Sequence, residues 1–201
     1  MKKKVLIIMC VLLVLIIIFY LGKYFHKYYV ITKFQEKITE IEENGNYKFE
    51  YGDIVIYAKD NIYIQKFSDT SYIFFNNNTN EIFTLSKEGI QEIEQAVSIT
   101  ISNIFMIDDL SNEINILNVK NSLIYSELTN EEFNGKNCYK LTYETEAMPN
   151  KFTVYFEKEN YLPVGFCYEN GSITYVQIYE NIVEDEDISE NAIMERIESS
   201  N

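Results

Sequence analysis

Histidine and glycine, two residue types on which many active sites depend, are scarce in this 201-residue chain. His26 is the only histidine, and no cluster of cysteine and histidine offers the ligands of a zinc site. The seven glycines form no phosphate-binding loop, and no serine lies in the strand-turn-helix motif of a hydrolase nucleophile. We therefore expect a protein that is not an enzyme and that holds no metal and no cofactor.

Basic residues are also few. The chain has 17 Lys and Arg against 31 Asp and Glu, a net charge of −14. Residues 1–40 carry seven lysines and two glutamates, a net of +5, so residues 41–201 carry the remaining 10 basic and 29 acidic residues, a net of −19. A surface of this charge repels phosphate groups, and we predict no nucleic-acid partner.

The acidic residues themselves predict no catalytic or metal site. The pairs Asp108–Asp109 and Glu131–Glu132 are of the type that can act as catalytic carboxylates, but in so acidic a chain we interpret them as surface residues. The four acids of residues 184–187 lack the Asp/Asn/Gly spacing of a calcium-binding loop.

One long apolar run, Val5–Gly22, contains no charged residue. As a helix its 18 residues would span roughly 27 Å, close to the thickness of a bilayer's hydrocarbon core. Three lysines precede it, as in a signal peptide, but no small-x-small cleavage site follows. We therefore favour an uncleaved single-span anchor over a cleaved signal peptide. Its apolar residues are Val5, Leu6, Ile7, Ile8, Leu12, Leu13, Leu15, Ile16, Ile17, Ile18 and Phe19.

The orientation of this anchor follows from its short N-terminal side. Lysines flank the run on both sides, so the charge asymmetry that would set the orientation of the helix nearly cancels. A four-residue tail before a signal-like run usually stays inside, and long domains translocate largely regardless of charge. We predict a cytoplasmic tail at residues 1–4, a transmembrane anchor at 5–22, and an extracytoplasmic C-terminal domain in a single-pass protein of the cell membrane. Lys23, Lys27, Lys33 and Lys37 could contact lipid headgroups, but we favour a solvated stalk end.

Beyond the anchor, the pattern alternates between helix and strand. An apolar stripe at Ile31, Phe34, Ile38 and Ile41 predicts a helix that ends at Asn44–Gly45. Short β-rich runs separated by polar turns then predict an antiparallel meander as far as Ser86.

The rest of the chain is predicted to contain helices and a second meander. Residues 87–106 have near-helical apolar spacing and predict a helix, and residues 110–117 a shorter one. A second meander follows, with a hairpin turn at Asn134–Gly135. We expect the acidic segment from Val183 onward to be solvated, with a short helix at residues 189–197.

Aromatic or aliphatic residues occupy every second position along the strands of the second meander, so that one face of the sheet is apolar. This face either packs on the helices as an ordinary core or is covered incompletely and leaves an apolar cavity, which would suit acyl chains or other apolar ligands. The candidate ligand-facing residues are Tyr139, Leu141, Tyr143, Val154, Phe156, Val164 and Phe166.

Two cysteines, Cys138 and Cys167, lie on predicted strands of the same domain. In an exported protein a disulfide between them is permitted. If the strands are consecutive neighbours, the two residues are two strands apart, about 9–10 Å, which exceeds the reach of a disulfide. The two alternatives are close, and we favour unpaired thiols.

Three stretches, EEFNGKNCYKLTYE (131–144), VYFEKENYLPVGFCYENG (154–171) and VQIYENIVEDEDIS (176–189), together with the order of elements, resemble the lipoprotein-carrier (LolA/LolB-like) superfamily. The resemblance covers about residues 28–190 and leaves 191–201 as an acidic tail. It implies an α+β fold: a transmembrane helix followed by a curved antiparallel half-barrel sheet packed on helices. The carriers themselves are soluble or lipid-anchored, whereas this chain is predicted to keep its transmembrane helix.

The function that this resemblance implies is a membrane-tethered extracytoplasmic module that binds a lipid or a lipoprotein in an apolar concavity. The alternative is a non-catalytic protein-interaction or sensor domain at the cell surface, with a protein partner in place of a lipid ligand.

Overall fold

A single helix, α1 (Lys2–Asn44), connects the apolar run to the folded domain in the computed structural model, which describes residues 2–93, 100–105, 126–144, 151–169 and 171–200. Its 43 residues extend over about 65 Å. The predicted stripe is confirmed, because Ile31, Phe34 and Ile38 are fully buried. The helix ends as predicted: Gly45, at φ +66°, donates its N–H to the carbonyl oxygens of Ile41 and Glu42.

In the described part of the chain, eleven antiparallel strands form one open sheet of order β6-β5-β4-β3-β2-β1-β11-β10-β9-β8-β7. The two predicted meanders are confirmed as its two halves, and β11, the last strand, joins them by pairing with both β1 and β10. The strands are β1 (Asn46–Tyr51), β2 (Ile54–Lys59), β3 (Ile62–Ser68), β4 (Ser71–Asn76), β5 (Glu81–Ser86), β6 (Gly89–Glu92), β7 (Glu127–Phe133), β8 (Lys136–Tyr143), β9 (Phe152–Glu157), β10 (Pro163–Tyr168) and β11 (Thr174–Glu180). This open sheet packed on helices is the predicted fold class.

Turn chemistry fixes the register of the hairpins. Asn134 and Gly135 have φ of +51° and +74°, the left-handed pair that a two-residue hairpin turn requires, so the predicted turn between β7 and β8 is confirmed. Asp60 and Asn61, at +53° and +66°, make the same turn between β2 and β3. In both cases the small polar or glycine residue tolerates the left-handed conformation.

The helix predicted over residues 87–106 is wrong in its first part. Gly89–Glu92 is strand β6, and Ile93 continues the pairing by donating its N–H to the Ile82 carbonyl oxygen at 3.0 Å. The physical reason is a tight turn at residues 87–88 followed by Gly89 at φ +106°, which reverses the chain onto β5. A short helix, α2 (Ile101–Ile104), lies within the predicted range, and the helix predicted at 110–117 falls outside the described residues.

Helices cover both faces of the sheet. The C-terminal half of α1 and α2 pack on what we call the inner face, together with the apolar side of β1, β2 and β8–β10. On the opposite, outer face, α3 (Asp185–Ile188) and α4 (Glu190–Ser199) cover β2–β5. Side chains that alternate along β2 and β3 therefore contribute to two different apolar clusters.

The expectation of a solvated segment from Val183 onward is wrong. Val183 is 2% exposed, and Ile193 and Ile197 are fully buried against β3, β4 and β5. The short helix expected at residues 189–197 is confirmed as α4, whose N-cap Ser189 accepts a hydrogen bond from the Ala192 N–H. The prediction was based on the acidic composition of the segment. The segment also has a regular apolar spacing on one side of the helix, and that spacing gives α4 its buried face.

Candidate binding site

The structure brings six of the seven candidate ligand-facing residues together on the inner face of the sheet. Tyr139, Leu141 and Tyr143 extend from β8, Val154 and Phe156 from β9, and Phe166 from β10. In the register, Leu141 lies opposite Val154, which in turn lies opposite Phe166. These cross-strand neighbours form a continuous apolar surface.

Two phenylalanines from the helical layer fill the space over this surface. Phe34 of α1 stacks on Phe156 with ring centroids 4.5 Å apart. Phe105, which directly follows α2, meets Phe34 at 6.0 Å and Phe166 at 5.8 Å, both edge to face. The Tyr143 hydroxyl donates a hydrogen bond to the Phe105 carbonyl oxygen. The aromatic surface is thus part of the packed core in this structure, which is the ordinary alternative of the sequence interpretation.

Val164 does not join the other six residues. The pairing of β9 with β10 shifts between Pro163 and Gly165, so that Val164 is an extra residue in a β-bulge. Its side chain packs on the outer face with Phe133, Cys138 and Tyr155. Strict alternation along the strand placed it on the inner face, and the bulge reverses that assignment.

The outer-face cluster also contains both cysteines of the domain as free thiols, so the favoured alternative is confirmed. Cys138 pairs across the strands with Glu157 and Cys167 with Thr153, four residues away along β9. That offset corresponds to about 13 Å along the strand, in addition to the two-strand separation. Burial, followed by the neighbouring Glu157 carboxylate, raises the pKa of the Cys138 thiol, so that it is protonated and unreactive at neutral pH.

An open cleft of about 680 Å³ lies where α1 leaves the domain, between the helix and the start of edge strand β7. Most of its lining is apolar. From α1 it is lined by Tyr20, Leu21, Lys23, Tyr24, His26 and Lys27, and from the other side by Ser126, Glu127 and Leu128.

The cleft is continuous with the aromatic inner face. Tyr24 and Leu128 line the cleft and also pack against the core cluster of that face. Leu128 lies directly opposite Leu141 in the β7–β8 register. The ring of His26 meets the ring of Tyr139 edge-on at 6.2 Å. The cleft is therefore the open end of the apolar layer to which the candidate residues belong.

Sequence reasoning did not identify Tyr24 and Leu128 as site residues. A usable signal was present in α1, because Tyr20, Tyr24 and Lys27 recur at helical spacing across the end of the apolar run. No comparable signal exists for Leu128, since its role depends on the pairing of β7 at the edge of the sheet.

Polar groups are few in the cleft. The Lys27 ammonium donates a hydrogen bond to the Ser126 carbonyl oxygen at 2.9 Å, and burial lowers the pKa of Lys27. Across the described ranges, no group of three or more His, Cys, Asp or Glu side chains is arranged to hold a metal ion. The arrangement can accommodate an apolar chain with a polar end at the lysine.

The position of the cleft along α1 relates it to the apolar run. Every large apolar side chain from Ile7 to Leu21 whose exposure is given is at least 48% exposed, so this part of the helix is not buried by the described part of the domain. By length and composition α1 can cross a membrane, with a mean hydropathy of 2.6 in its most apolar window. The cleft begins at Tyr20, where this apolar surface ends.

Comparison with known proteins finds similarity in structure only. No protein-family model matches the chain, and no curated protein does. Similar solved structures include PNGF-II (9% identity, TM-score 0.33, 74% of this chain and 29% of that chain). They also include a structure described as an outer membrane lipoprotein-sorting protein domain from Vibrio parahaemolyticus, with 8% identity and a TM-score of 0.35 over 80% of this chain and 97% of that chain. A third is MucB in complex with MucA(peri), with 9% identity and a TM-score of 0.36 over 80% of this chain and 60% of that chain.

Proposed function

We propose that the protein is a membrane-tethered, extracytoplasmic and non-catalytic module that binds the acyl chain of a lipid or lipidated protein in the cleft between α1 and β7. The observation that carries the proposal is the position of the cleft. An apolar opening of about 680 Å³ lies at the first residues beyond an exposed apolar helix, and its lining is continuous with the aromatic core. Its volume is within the range typical of small-molecule sites.

Geometry supports an acyl chain as the occupant. If residues 5–22 span the bilayer, Tyr20 and Tyr24 lie at the membrane surface, where amphipathic aromatic rings are commonly found. A chain can then leave the hydrocarbon region and enter the cleft without crossing water, so that its apolar surface stays buried throughout. Leu128 and the rings of Tyr20 and Tyr24 provide the apolar contacts at the entrance.

Photocrosslinking of the full-length chain in bilayer nanodiscs tests the proposal. The probe is phosphatidylcholine with a diazirine on the terminal carbon of one acyl chain. In an undisturbed leaflet that carbon lies near the bilayer centre, about 15 Å from the polar surface. We expect label on residues 126–128 of β7, which a terminal diazirine reaches only if the chain has moved into the cleft.

A pair of substitutions on β7 provides the control. Leu128→Asn places an amide in the cleft and should reduce the β7 label several-fold, whereas Thr129→Asn alters the exposed neighbour on the other side of the strand and should leave it unchanged. Label confined to residues 7–21, which bulk lipid surrounds, would refute the proposal.

A second candidate function, binding of a protein partner, is supported by the open edges of the sheet. β7 is an edge strand whose Glu127, Thr129 and Glu131 are exposed, and such edges can accept an added strand. Site-specific photocrosslinking from position 129 in membranes tests this function. Reproducible capture of one protein would support it, and the absence of any reproducible adduct would count against it.

A further inference from the structure

Most of the described lysines beyond the apolar run are paired with nearby acids, as is expected in so acidic a domain. Seven of them lie within 4.0 Å of a carboxylate oxygen: Lys33, Lys37, Lys48, Lys59, Lys66, Lys136 and Lys140. Lys23 and Lys27, which line the cleft, have no carboxylate within that distance among the residues that the structure describes, although Glu127 also lines the cleft. Lys87, Lys151 and Lys158 also lack one, but they do not line the cleft.

The four lysines that follow the apolar run thus divide into two pairs. Lys33 lies 2.6 Å from the Glu36 carboxylate, and Lys37 lies 3.1 Å from Glu180. These two are engaged in ion pairs on the domain surface. Lys23 and Lys27 are one turn apart on the same side of α1, so their ammonium groups can act on one ligand.

Lys27 is the more constrained of the two. Its only hydrogen-bond acceptor among the described residues is the uncharged Ser126 carbonyl oxygen, which satisfies one of the three N–H donors of an ammonium group. Burial lowers the pKa of Lys27 because the partly desolvated charge has no counter-ion. A ligand anion placed beside it would remove this cost and would use the remaining donors.

We propose that Lys23 and Lys27 bind the phosphate of an anionic membrane phospholipid whose acyl chain occupies the cleft. This inference rests on the proposed function and names the class of its ligand. The lipid chain enters between α1 and β7, and its headgroup stays at the membrane surface, where the two lysines lie at the rim. A net negative headgroup is preferred over a zwitterionic one because the zwitterion carries its own cation beside the phosphate.

Native mass spectrometry of the full-length chain tests the headgroup preference. The chain is reconstituted in nanodiscs of equal phosphatidylglycerol and phosphatidylcholine and is then released, and the retained lipids are counted. Each basic residue near an anionic membrane surface strengthens binding about fivefold. Phosphatidylglycerol should therefore be retained at least about five times more often than phosphatidylcholine. Lys27→Met should lower this ratio about fivefold.

Lys33→Met is the matched control, because it removes the same charge from the same helix at an ion-paired position. It should leave the ratio unchanged, and an equal fall in both variants would show a general charge effect and overturn the inference. If Lys27→Met fails to fold, Lys23→Met replaces it, since Lys23 is exposed and lies over the Phe19 ring without a structural hydrogen bond among the described residues. It should lower the ratio by a similar factor.

Three further outcomes separate the inference from the function on which it rests. Retention of both lipids in the proportion of the disc would overturn the headgroup preference and leave the acyl-chain site standing. Retention of neither lipid would overturn both. Inorganic phosphate added in excess should not change the ratio, and loss of the phosphatidylglycerol preference in its presence would identify a site for free phosphate instead of a lipid headgroup.

Discussion

Phe34 of α1 stacks on Phe156 of β9, with ring centroids 4.5 Å apart and planes inclined by 18°. Both rings are fully buried. The helix that carries the apolar run is therefore also the central core helix of the domain. The two parts share one continuous helix, α1, so the position of the domain relative to the apolar run is set by helix geometry.

The first prediction concerns this aromatic pair. Phe34→Ala removes a ring that contacts both Phe156 and Phe105, and it should lower the free energy of unfolding by about 3–5 kcal/mol. Denaturant unfolding of the full-length chain in detergent, followed by near-UV circular dichroism of its tyrosines, measures the change. Phe67→Ala, at a position that is 41% exposed, should cost less than about 1 kcal/mol. Equal losses in the two variants would show that α1 does not form the core.

The second prediction concerns α4. Ile197→Ala removes a fully buried side chain from the apolar cluster between α4 and β3–β5 and should lower the free energy of unfolding by about 2–5 kcal/mol. Glu195→Ala, at an exposed position of the same helix, should change it by about 0.5 kcal/mol or less. The same unfolding experiment measures both variants. No loss in Ile197→Ala would restore the interpretation of a solvated C-terminal segment.

Much of the fold could be predicted because its signals are local. The spacing of Ile31, Phe34 and Ile38 determines the buried face of α1 within a single helix. Asn134–Gly135 specifies its hairpin turn by backbone preference alone. Strand alternation placed Leu141, Val154 and four other candidate residues on one face, since none of the six is the extra residue of the β10 bulge.

The parts that could not be predicted depend on contacts between distant segments. Ile90 and Ile93 fit helical spacing, but the turn before Gly89 and the free edge of β5 favour a strand. Val164 changes face because one extra residue in β10 forms a bulge, which alternation does not reveal. The cleft is assembled from α1 and the start of β7, and the two residues hydrogen-bonded across it, Lys27 and Ser126, are 99 residues apart in the chain.

The third prediction concerns Gly165 in the bulge. A Cβ atom at this position would lie 2.6 Å from Cζ of Phe133, whose ring stacks on Tyr155. Gly165→Ala should therefore lower the free energy of unfolding by about 1–3 kcal/mol through overpacking. A double-mutant cycle with Phe133→Leu measures the coupling, and Gly165→Ala should cost much less in the Phe133→Leu background. Additive costs would locate the strain elsewhere in the backbone.

The fourth prediction compares two buried tyrosines of the inner face. The Tyr47 hydroxyl has no hydrogen-bond partner among the described residues, whereas that of Tyr143 donates to the Phe105 carbonyl oxygen. Tyr47→Phe should leave the free energy of unfolding unchanged or raise it by up to about 1 kcal/mol, because it removes an unsatisfied buried group. Tyr143→Phe should lower it by about 1–3 kcal/mol, because it removes the hydroxyl donor of the Phe105 carbonyl oxygen in the buried core. A loss in Tyr47→Phe equal to that in Tyr143→Phe would show that the Tyr47 hydroxyl has a partner in solution.

The fifth prediction follows from the same tyrosine at alkaline pH. Burial, and then the Glu42 carboxylate, raises the pKa of Tyr47 far above its ordinary value. Above about pH 10 the unfolded chain loses this proton and the folded chain keeps it. The stabilising contribution is therefore complete below about pH 10 and falls as the pH rises, by about 1.4 kcal/mol for each further pH unit. Tyr47→Phe has no such proton. Between about pH 10.5 and pH 11.5 its free energy of unfolding should therefore fall less steeply than that of the unsubstituted protein, by about 1.4 kcal/mol per pH unit. Parallel slopes for the two proteins would contradict the prediction, because Tyr47 would then ionise as readily in the folded chain as in the unfolded one.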